Sequence, residues 1–510
     1  MAAVRDIPAH LRELVVTQAY DEYTAEDQAV WRFVVQHTRQ RLLRTAHDAY
    51  RTGFDAAGIS AEQIPRIAEM SEKLAAIGWS AVCVDGFIPP RAFQAFQAHR
   101  ILPIAADIRT RGHLTYTPAP DIIHEAAGHA PFLANPSYAE YLMRIGEIGG
   151  RAFSTPPDQA IYEAIFVLSE VKENGASTPE QIARAEQRLE HAIAAQGEPS
   201  EAALLARLYW WTVEYGLVGD LTRPLLYGAG LLSSIGEGYF CEDPAVHKLP
   251  LSEACIDVAY DITQPQPQLF VARDFEHLSE VLERVASILS QYRGGVAGLR
   301  AALRSEEPAT LALDTGERIA GTVLAVHEDR AGGAIVELDE DRVLVLGVRD
   351  DSLAQRYPDK KLLRGERVVS ASAGGVDRQS VSTRPPSMRV PKPRARDATA
   401  LEMLSMFERT RDAFRKLAGG DAVAVVEAIA KRLDDGYPEE WLLRYELLSG
   451  LVHASGASGA NGAHSSAVQA KLVRDLERLE IRYAQREPIA TGLSHLRTLI
   501  GGSHSSVEKS

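Results

Sequence analysis

Ten residues, PDIIHEAAGH from Pro120 to His129, set two histidines five positions apart. On an ideal α-helix of 3.6 residues per turn, side chains at that spacing point roughly 140° apart. Both reach one ion only if the helix starts or bends between them. Gly128 before the second histidine and Pro131 two residues after it permit such a break. The distant segment YWWTVEYGL (Tyr209 to Leu217) adds a lone carboxylate, Glu214. His124, His129 and Glu214 then make a metal-ligand set of two imidazoles and one carboxylate. That is the facial triad of non-heme Fe(II) oxygenases, which leaves positions open for oxygen and substrate. Two readings compete with it. A zinc-dependent hydrolase of the HExxH type needs its histidines at i and i+4 on one helical face, and position 128 is glycine. Hydrogen-bonded core histidines explain a lone His well. Two His, a Glu and an Asp in the nine residues from Asp121 to His129, after a Pro-rich turn, disfavour that account.

At 510 residues the chain is long enough for more than one domain. Its 45% hydrophobic and 24% charged residues are an ordinary soluble composition, with material for a large core. No 18 apolar residues run together, and the N-terminus MAAVRDIPAHLREL has no apolar stretch of signal type, so neither a membrane span nor a secretory signal is expected. Cys83, Cys241 and Cys255 are widely spaced and odd in number. They imply neither a disulfide framework nor a CxxC site, and they fit a reducing cytoplasm. A net charge of −14 disfavours nucleic acid as a partner.

Residues 1–300 read as one mainly helical catalytic unit. Within it, 153–200 is a helical insertion on the surface. Thr178 caps a helix there, Pro179 takes its first position and Gln181 completes a capping box. Ile182, Ala185, Leu189 and Ile193 form one apolar stripe, and Gly197 ends the helix. Residues 305–372 change to a small β-rich module. Leu311, Leu313, the turn Asp314-Thr315-Gly316, Ile319, Val323 and Val326, and then the runs Ala334–Val336 and Val343–Leu346, suggest strands. Residues 373–398 are a Pro-rich basic linker. Residues 399–510 are again helical: Trp441, Leu442, Tyr445 and Leu448 line one face, and Leu472, Leu476, Leu479 and Tyr483 another. Ala454 to Ser466 reads as a Gly/Ser/Ala loop. No catalytic motif appears after residue 300, which leaves self-association or a protein partner as the use of this C-terminal region.

Five blocks surround the ligands in order: GFIPPRAF (Gly86 to Phe93), IRTRGHLTYTPAPDIIHEAAGHAP (Ile108 to Pro131), YWWTVEYGL, YGAGLLSSIGE (Tyr227 to Glu237) and, more weakly, QPQLFVARDF (Gln266 to Phe275). Over roughly residues 75 to 290 the chain thereby resembles the pterin-dependent aromatic amino acid hydroxylases, and among them the bacterial phenylalanine hydroxylases, here with an extended C-terminal region. The resemblance implies a mainly α catalytic domain of the aromatic amino acid hydroxylase type, followed by a small β-rich module and a C-terminal helical region. It implies Fe(II) on His124, His129 and Glu214, a tetrahydropterin (tetrahydrobiopterin or a related bacterial pterin), and O2 as co-substrate.

The same resemblance assigns further residues. Phe93 is the flat apolar face on which the pterin stacks, and Gly86, Ile88, Glu125, Ala206 and Tyr209 match other pterin-binding positions. Arg109 matches the arginine that holds the amino acid's carboxylate through paired hydrogen bonds, with Arg111 as its neighbour and rival. Thr117 and Ser233 match polar positions beside that carboxylate, and Pro120 and Trp210 match pocket walls. Asp121 is placed to accept from an imidazole and orient it, or to cap the helix that carries His124. Val271 matches a position that is acidic in animal tyrosine hydroxylases. An apolar side chain there suits a ring without a hydroxyl, which favours phenylalanine over tyrosine or tryptophan as the substrate.

Overall fold

The computed structural model describes residues 7–114, 117, 119–174, 177–328, 333–350, 352–374, 398–416, 420–437, 440–458, 470–471 and 473–475. Helix α1 (Ala25–Thr45) starts on a capping box: Thr24 Oγ1 accepts from the Asp27 N–H at 3.2 Å, and Asp27 Oδ2 accepts from the Thr24 N–H at 2.8 Å. Val30, Trp31, Phe33, Val34 and Val35 are all buried, so α1 hides more than one face. A helix apolar on most sides belongs inside a core. Helix α2 (Ala49–Ala56) packs on the 3-10 turn Ala130–Ala134 that continues the His129 segment. Gly53 permits this approach, because a Cβ there would sit 1.7 Å from the Pro131 carbonyl oxygen.

Strands β1 (Ser80–Val84) and β2 (Ile101–Ala105) pair in parallel, Ser80 opposite Ile101. Parallel neighbours need a crossover, and here it is the helix Pro90–Ala98, which carries Phe93. Strands β3 (Leu217–Val218), β4 (Leu225–Leu226), β5 (His247–Pro250) and β6 (Gln268–Ala272) form a second sheet of order β4-β3-β6-β5. Strand β3 begins three residues after Glu214 and runs parallel to β6, with Leu217 opposite Val271.

In the expected insertion, two helices, Pro156–Glu173 and Pro179–Ala194, lie together. The Thr178–Gln181 capping box forms, and Ala185 and Leu189 bury against Ala164 and Leu168. Ile193 departs from the expected stripe: it lies beyond this contact and is exposed. Gly197, at φ +67°, turns the chain just past the helix end.

The β-rich module holds the expected strands as β7 (Pro308–Leu313), β8 (Arg318–Glu328), β9 (Ala334–Leu338) and β10 (Arg342–Leu346). Two more, β11 (Lys361–Gly365) and β12 (Val368–Ala373), complete a six-stranded sheet of order β11-β10-β9-β8-β7-β12. Its core is shared. Leu299, Ala301 and Ala302 of the helix Gly295–Ser305, with Phe153, pack among its strand residues.

The C-terminal helices Ala398–Lys416, Gly420–Gly436 and Leu442–Ser458 are not a separate unit. Met403, Phe407, Val426, Leu443 and Tyr445 belong to the same contiguous core as α1. Phe33 meets Trp441 and Tyr445 edge-on, with centroids 4.8 and 5.1 Å apart, and Arg32 grips both oxygens of Glu446. The stretch expected as a loop from Ala454 continues as helix to Ser458, as its alanines favour. Its remainder, the linker beyond Gly374, and the expected face of Leu472, Leu476, Leu479 and Tyr483 lie outside the described residues.

All three cysteines are buried and free. Burial pushes the thiols of Cys83 and Cys255 up to about 12 and that of Cys241 up to about 11. Among the described residues no helix is long and apolar enough to cross a membrane. Because the neighbour of Gly53 is backbone, no rotamer change relieves a side chain there. Gly53→Ala is expected to lower the urea midpoint by a stability loss of about 1–3 kcal/mol, and an unchanged midpoint would contradict this packing.

Candidate metal centre

Two stretches of π-helix supply the ligands, Ile123–His129 and Trp210–Glu214. In this form the backbone bonds run from i to i+5, so residues five apart come far closer to one face than in an α-helix. The Ala130 N–H donates to the Glu125 carbonyl, and the Tyr215 N–H to that of Trp210 at 2.9 Å. The expected helix break at Gly128 and Pro131 is therefore not how the two histidines converge. Widening the helix by one residue per turn aligns them instead. Gly128 has a packing role, since a Cβ there would lie 2.8 Å from the Ala229 carbonyl oxygen. Pro131 sits within the first turn of the 3-10 segment that follows.

The three donors face one point. His124 Nε2 lies 3.2 Å from His129 Nε2 and 3.1 Å from Glu214 Oε2, and His129 Nε2 lies 3.3 Å from Glu214 Oε1. For bonds of roughly 2.1 Å, ligand atoms sit about 3.0 Å apart at a right angle and about 3.4 Å apart in a tetrahedron, so the spacing suits one ion of either kind. Burial raises the Glu214 carboxyl, but His129 and His124 outweigh it and hold the group below the usual carboxylate range.

One of the two imidazoles, His124, has a partner that places its proton. Ser233 Oγ donates its one hydrogen to the Ala229 carbonyl at 2.7 Å, so toward His124 Nδ1, 3.0 Å away, it acts as an acceptor. His124 then carries its proton on Nδ1 and presents a bare Nε2 to the ion. The role expected of Asp121 as the group that orients an imidazole thus passes to Ser233. Ser233 in turn was expected beside the substrate carboxylate. Asp121 is occupied elsewhere: its oxygens accept from Arg109 Nε and Nη2, each at 2.8 Å, and Oδ1 caps the His124 N–H at 2.9 Å. Burial would raise its carboxyl, and Arg109 with the backbone donors brings it below the usual range.

Arg109 also donates to the Ser233 carbonyl at 3.0 Å, and its side chain is fully buried. Of five guanidinium N–H groups, these bonds use three. Arg111 is a poor rival for a substrate carboxylate, because Glu26 and Glu440 already engage it.

Around the donors, the Phe93 ring lies 6.0 Å from that of His129 and 6.5 Å from that of Tyr209. The Tyr209 hydroxyl accepts from Gln97 at 2.7 Å. Glu125, expected to point elsewhere on the helix, sends Oε2 to within 3.7 Å of His129 Nε2. That oxygen is buried with no hydrogen-bond partner among the described residues. Burial pushes the Glu125 carboxyl up to about 8, with His129 pulling it down and Glu214 and Asp121 adding to the rise. Gly86 (φ +60°) and Ile88 lie in the loop before the helix that carries Phe93, and Ala206 lies on the helix that ends at Tyr209. Ile88 is packed in a small core with Val84, Ala92 and Phe96. Trp210 stacks on Tyr260 at 4.3 Å, and Pro120 directly precedes Asp121. Thr117 Oγ1 donates to the Ala119 carbonyl at 2.6 Å, and Val271 is buried in β6.

Sequence reasoning passes over Arg41, Gln97 and Tyr260. Arg41 of α1 donates to the carbonyls of Leu231 and Gly238 and meets Glu242 at 3.1 Å. It holds the strap of residues 229–240 on which Ser233 sits. Helix α1 carries four arginines, Arg32, Arg39, Arg41 and Arg44, and nothing in the local sequence marks Arg41 among them.

Two measurements follow from this geometry. Ser233→Ala removes the acceptor for His124 Nδ1–H and is expected to weaken Co(II) binding about 10- to 100-fold; equal affinity in a competition titration would refute the tautomer lock. Glu237, on the helix Ile235–Phe240, has its carboxyl pushed by burial from 4.5 up to about 7, with a Tyr215 hydrogen bond opposing. The folded chain keeps this proton where the unfolded chain has lost it, so the contribution is full below 4.5 and falls away as pH rises through about 7. Glu237→Gln should flatten that slope by about 1–3 kcal/mol, read from urea midpoints between pH 4 and 8.

The family model for biopterin-dependent aromatic amino acid hydroxylases matches residues 16–154 and 180–293, leaving out 155–179, which hold the first insertion helix and the turn after it. The chain is 31% identical over 234 residues to the phenylalanine-4-hydroxylase of Chromobacterium violaceum, covering 46% of this chain and 64% of that one, just under two thirds of its length. It is 29% identical over 275 residues to that of Mesorhizobium japonicum, covering 53% and 83%. Among solved structures, the Chromobacterium violaceum phenylalanine hydroxylase with bound iron(III) and oxidized 7,8-dihydrobiopterin is similar at 27% identity, covering 55% of this chain and 87% of that one, with a TM-score of 0.43. With the five blocks in order and the two-histidine, one-glutamate centre assembled, the chain belongs to the biopterin-dependent aromatic amino acid hydroxylases.

Proposed function

We propose that this chain hydroxylates the ring of a free aromatic amino acid, converting phenylalanine to tyrosine, with Fe(II) on His124, His129 and Glu214 and a tetrahydropterin beside Phe93. The observation that carries the reading is the convergence of His124 Nε2, His129 Nε2 and a Glu214 oxygen on one point in a buried setting. When bound, the iron and the pterin together supply the reductive activation of O2 that this chemistry needs.

The chain's own residues bind, orient and exclude water. Ser233 keeps His124 in the tautomer that offers Nε2, and Glu214 brings the negative charge that a divalent ion requires. Phe93 gives the pterin a flat face. The Glu125 carboxyl, buried beside it with Oε2 unpartnered among the described residues, is placed to accept hydrogen bonds from the heterocycle's edge. Ile88 and Gly86 shape the loop that leads to Phe93, and Ala206 and Tyr209 close the other side. Arg109 offers its two uncommitted N–H groups to the substrate carboxylate, with Asp121 holding the guanidinium in register. Since its side chain is fully buried, substrate entry requires the neighbouring segment to yield. Trp210 and Pro120 wall the pocket, and Thr117 and Ser233 edge it. The apolar Val271 favours phenylalanine, as do relatives named phenylalanine-4-hydroxylase. Work in the reducing cytoplasm suits Fe(II) and the three free thiols.

The test is an assay of the iron-loaded protein with phenylalanine, tyrosine and tryptophan in parallel, with and without tetrahydropterin. Tyrosine should form from phenylalanine only when the pterin is present. Product from tyrosine or tryptophan alone would move the substrate within the family, and no product from any of the three would sink the reading. The donor spacing also suits a tetrahedral ion, so elemental analysis of protein purified without chelators checks the alternative of a zinc-dependent hydrolase. His129→Ala should cost more than about a hundredfold in metal affinity and abolish turnover.

A further inference from the structure

The segment that carries Arg109 is held from two sides. Arg109 faces inward, to Asp121 and the Ser233 carbonyl. Arg111, in the 3-10 turn Arg111–His113, faces outward, to Glu440 and to Glu26 at 3.4 Å. Glu440 directly precedes Trp441 and the helix Leu442–Ser458, and its side chain is only 11% exposed. One oxygen accepts from Arg111 and the other from the Leu443 N–H at 3.2 Å, so the carboxylate is fixed by the helix start behind it. A carboxylate this buried must be paired to remain charged. That helix is in turn fastened to α1 by Arg32–Glu446 and by Phe33 against Trp441 and Tyr445.

We propose that Glu440, acting through Arg111, is a positioning residue for the amino-acid-binding segment, so that the C-terminal helical region sets the affinity of the site for its substrate without touching metal or pterin. The inference rests on Arg109 being the carboxylate ligand. With Glu440 neutral, Arg111 keeps only Glu26, on the far side of the junction. The segment then loses its tie to the C-terminal helices while the donors, Phe93 and the pterin side stay in place.

The experiment uses the full chain loaded with Fe(II), as wild type, E440Q and E440D. Steady-state kinetics are run with phenylalanine varied and then with tetrahydropterin varied, and hydrogen exchange is followed over residues 107–114. E440Q should raise the KM for phenylalanine on the order of five-fold, with kcat and the pterin KM unchanged, and E440D should return that KM to within about two-fold of wild type. The amides of 107–114 should exchange faster in E440Q. An unchanged phenylalanine KM, or kcat and both KM values moving together, overturns the proposal. Should the wild type turn over none of the aromatic amino acids, the functional reading is what fails, and exchange alone decides this inference. Faster exchange confined to 107–114 in E440Q would support it, and identical exchange would overturn it.

Discussion

The metal centre depends on backbone hydrogen bonds that reach one residue further than those of an α-helix. Turned back to the α register, His129 would swing away from His124 by roughly 140°, and the donors would no longer meet. Such turns are rare because their bonds and packing are less favourable, so they persist where the surroundings impose them. Here the impositions are specific. Asp121 caps the His124 N–H, Gly128 admits the Ala229 backbone, and Gly53 admits the Pro131 carbonyl. The same register recurs before Glu214, where the missing side chain of Gly216 makes room for the Tyr227 ring. All three ligands therefore stand on widened helical turns that their neighbours hold in place.

Helix α1 is the frame for those neighbours. One part of it carries Arg41, which holds the strap that bears Ser233, and another carries Phe33 and Arg32, which receive the C-terminal helices. The metal-binding turn and the C-terminal region are thus two tenants of one buried helix. A short path of packed side chains along α1 connects the two.

Much of this was legible in the chain. The three donors, the Thr178 cap, the first four strands of the β-rich sheet and the Trp441–Leu448 face all follow from local spacing and residue chemistry. What escaped was long-range or degenerate. A five-residue spacing fits a broken α-helix as well as a π turn, and nothing in ten residues distinguishes them. Asp121 stands three positions from His124, which made it the natural partner for the imidazole. The actual acceptor, Ser233, is 109 positions away. Arg109 and Arg111 differ by two positions and have opposite surroundings, which only the placement of Glu440, 329 residues beyond Arg111, reveals. The docking of the helices Ala398–Lys416 and Leu442–Ser458 on α1 has no local signature either, because an apolar helical face does not name what it will cover.

The three cysteines gain a meaning from this chemistry. A thiol reacts with peroxide and related oxidants as its thiolate. Burial keeps Cys83, Cys241 and Cys255 both out of contact with solvent and protonated well above neutral pH. Sulfur that is neither exposed nor ionised is withheld from such oxidants. The packing that builds the core thereby also protects its thiols from oxidation.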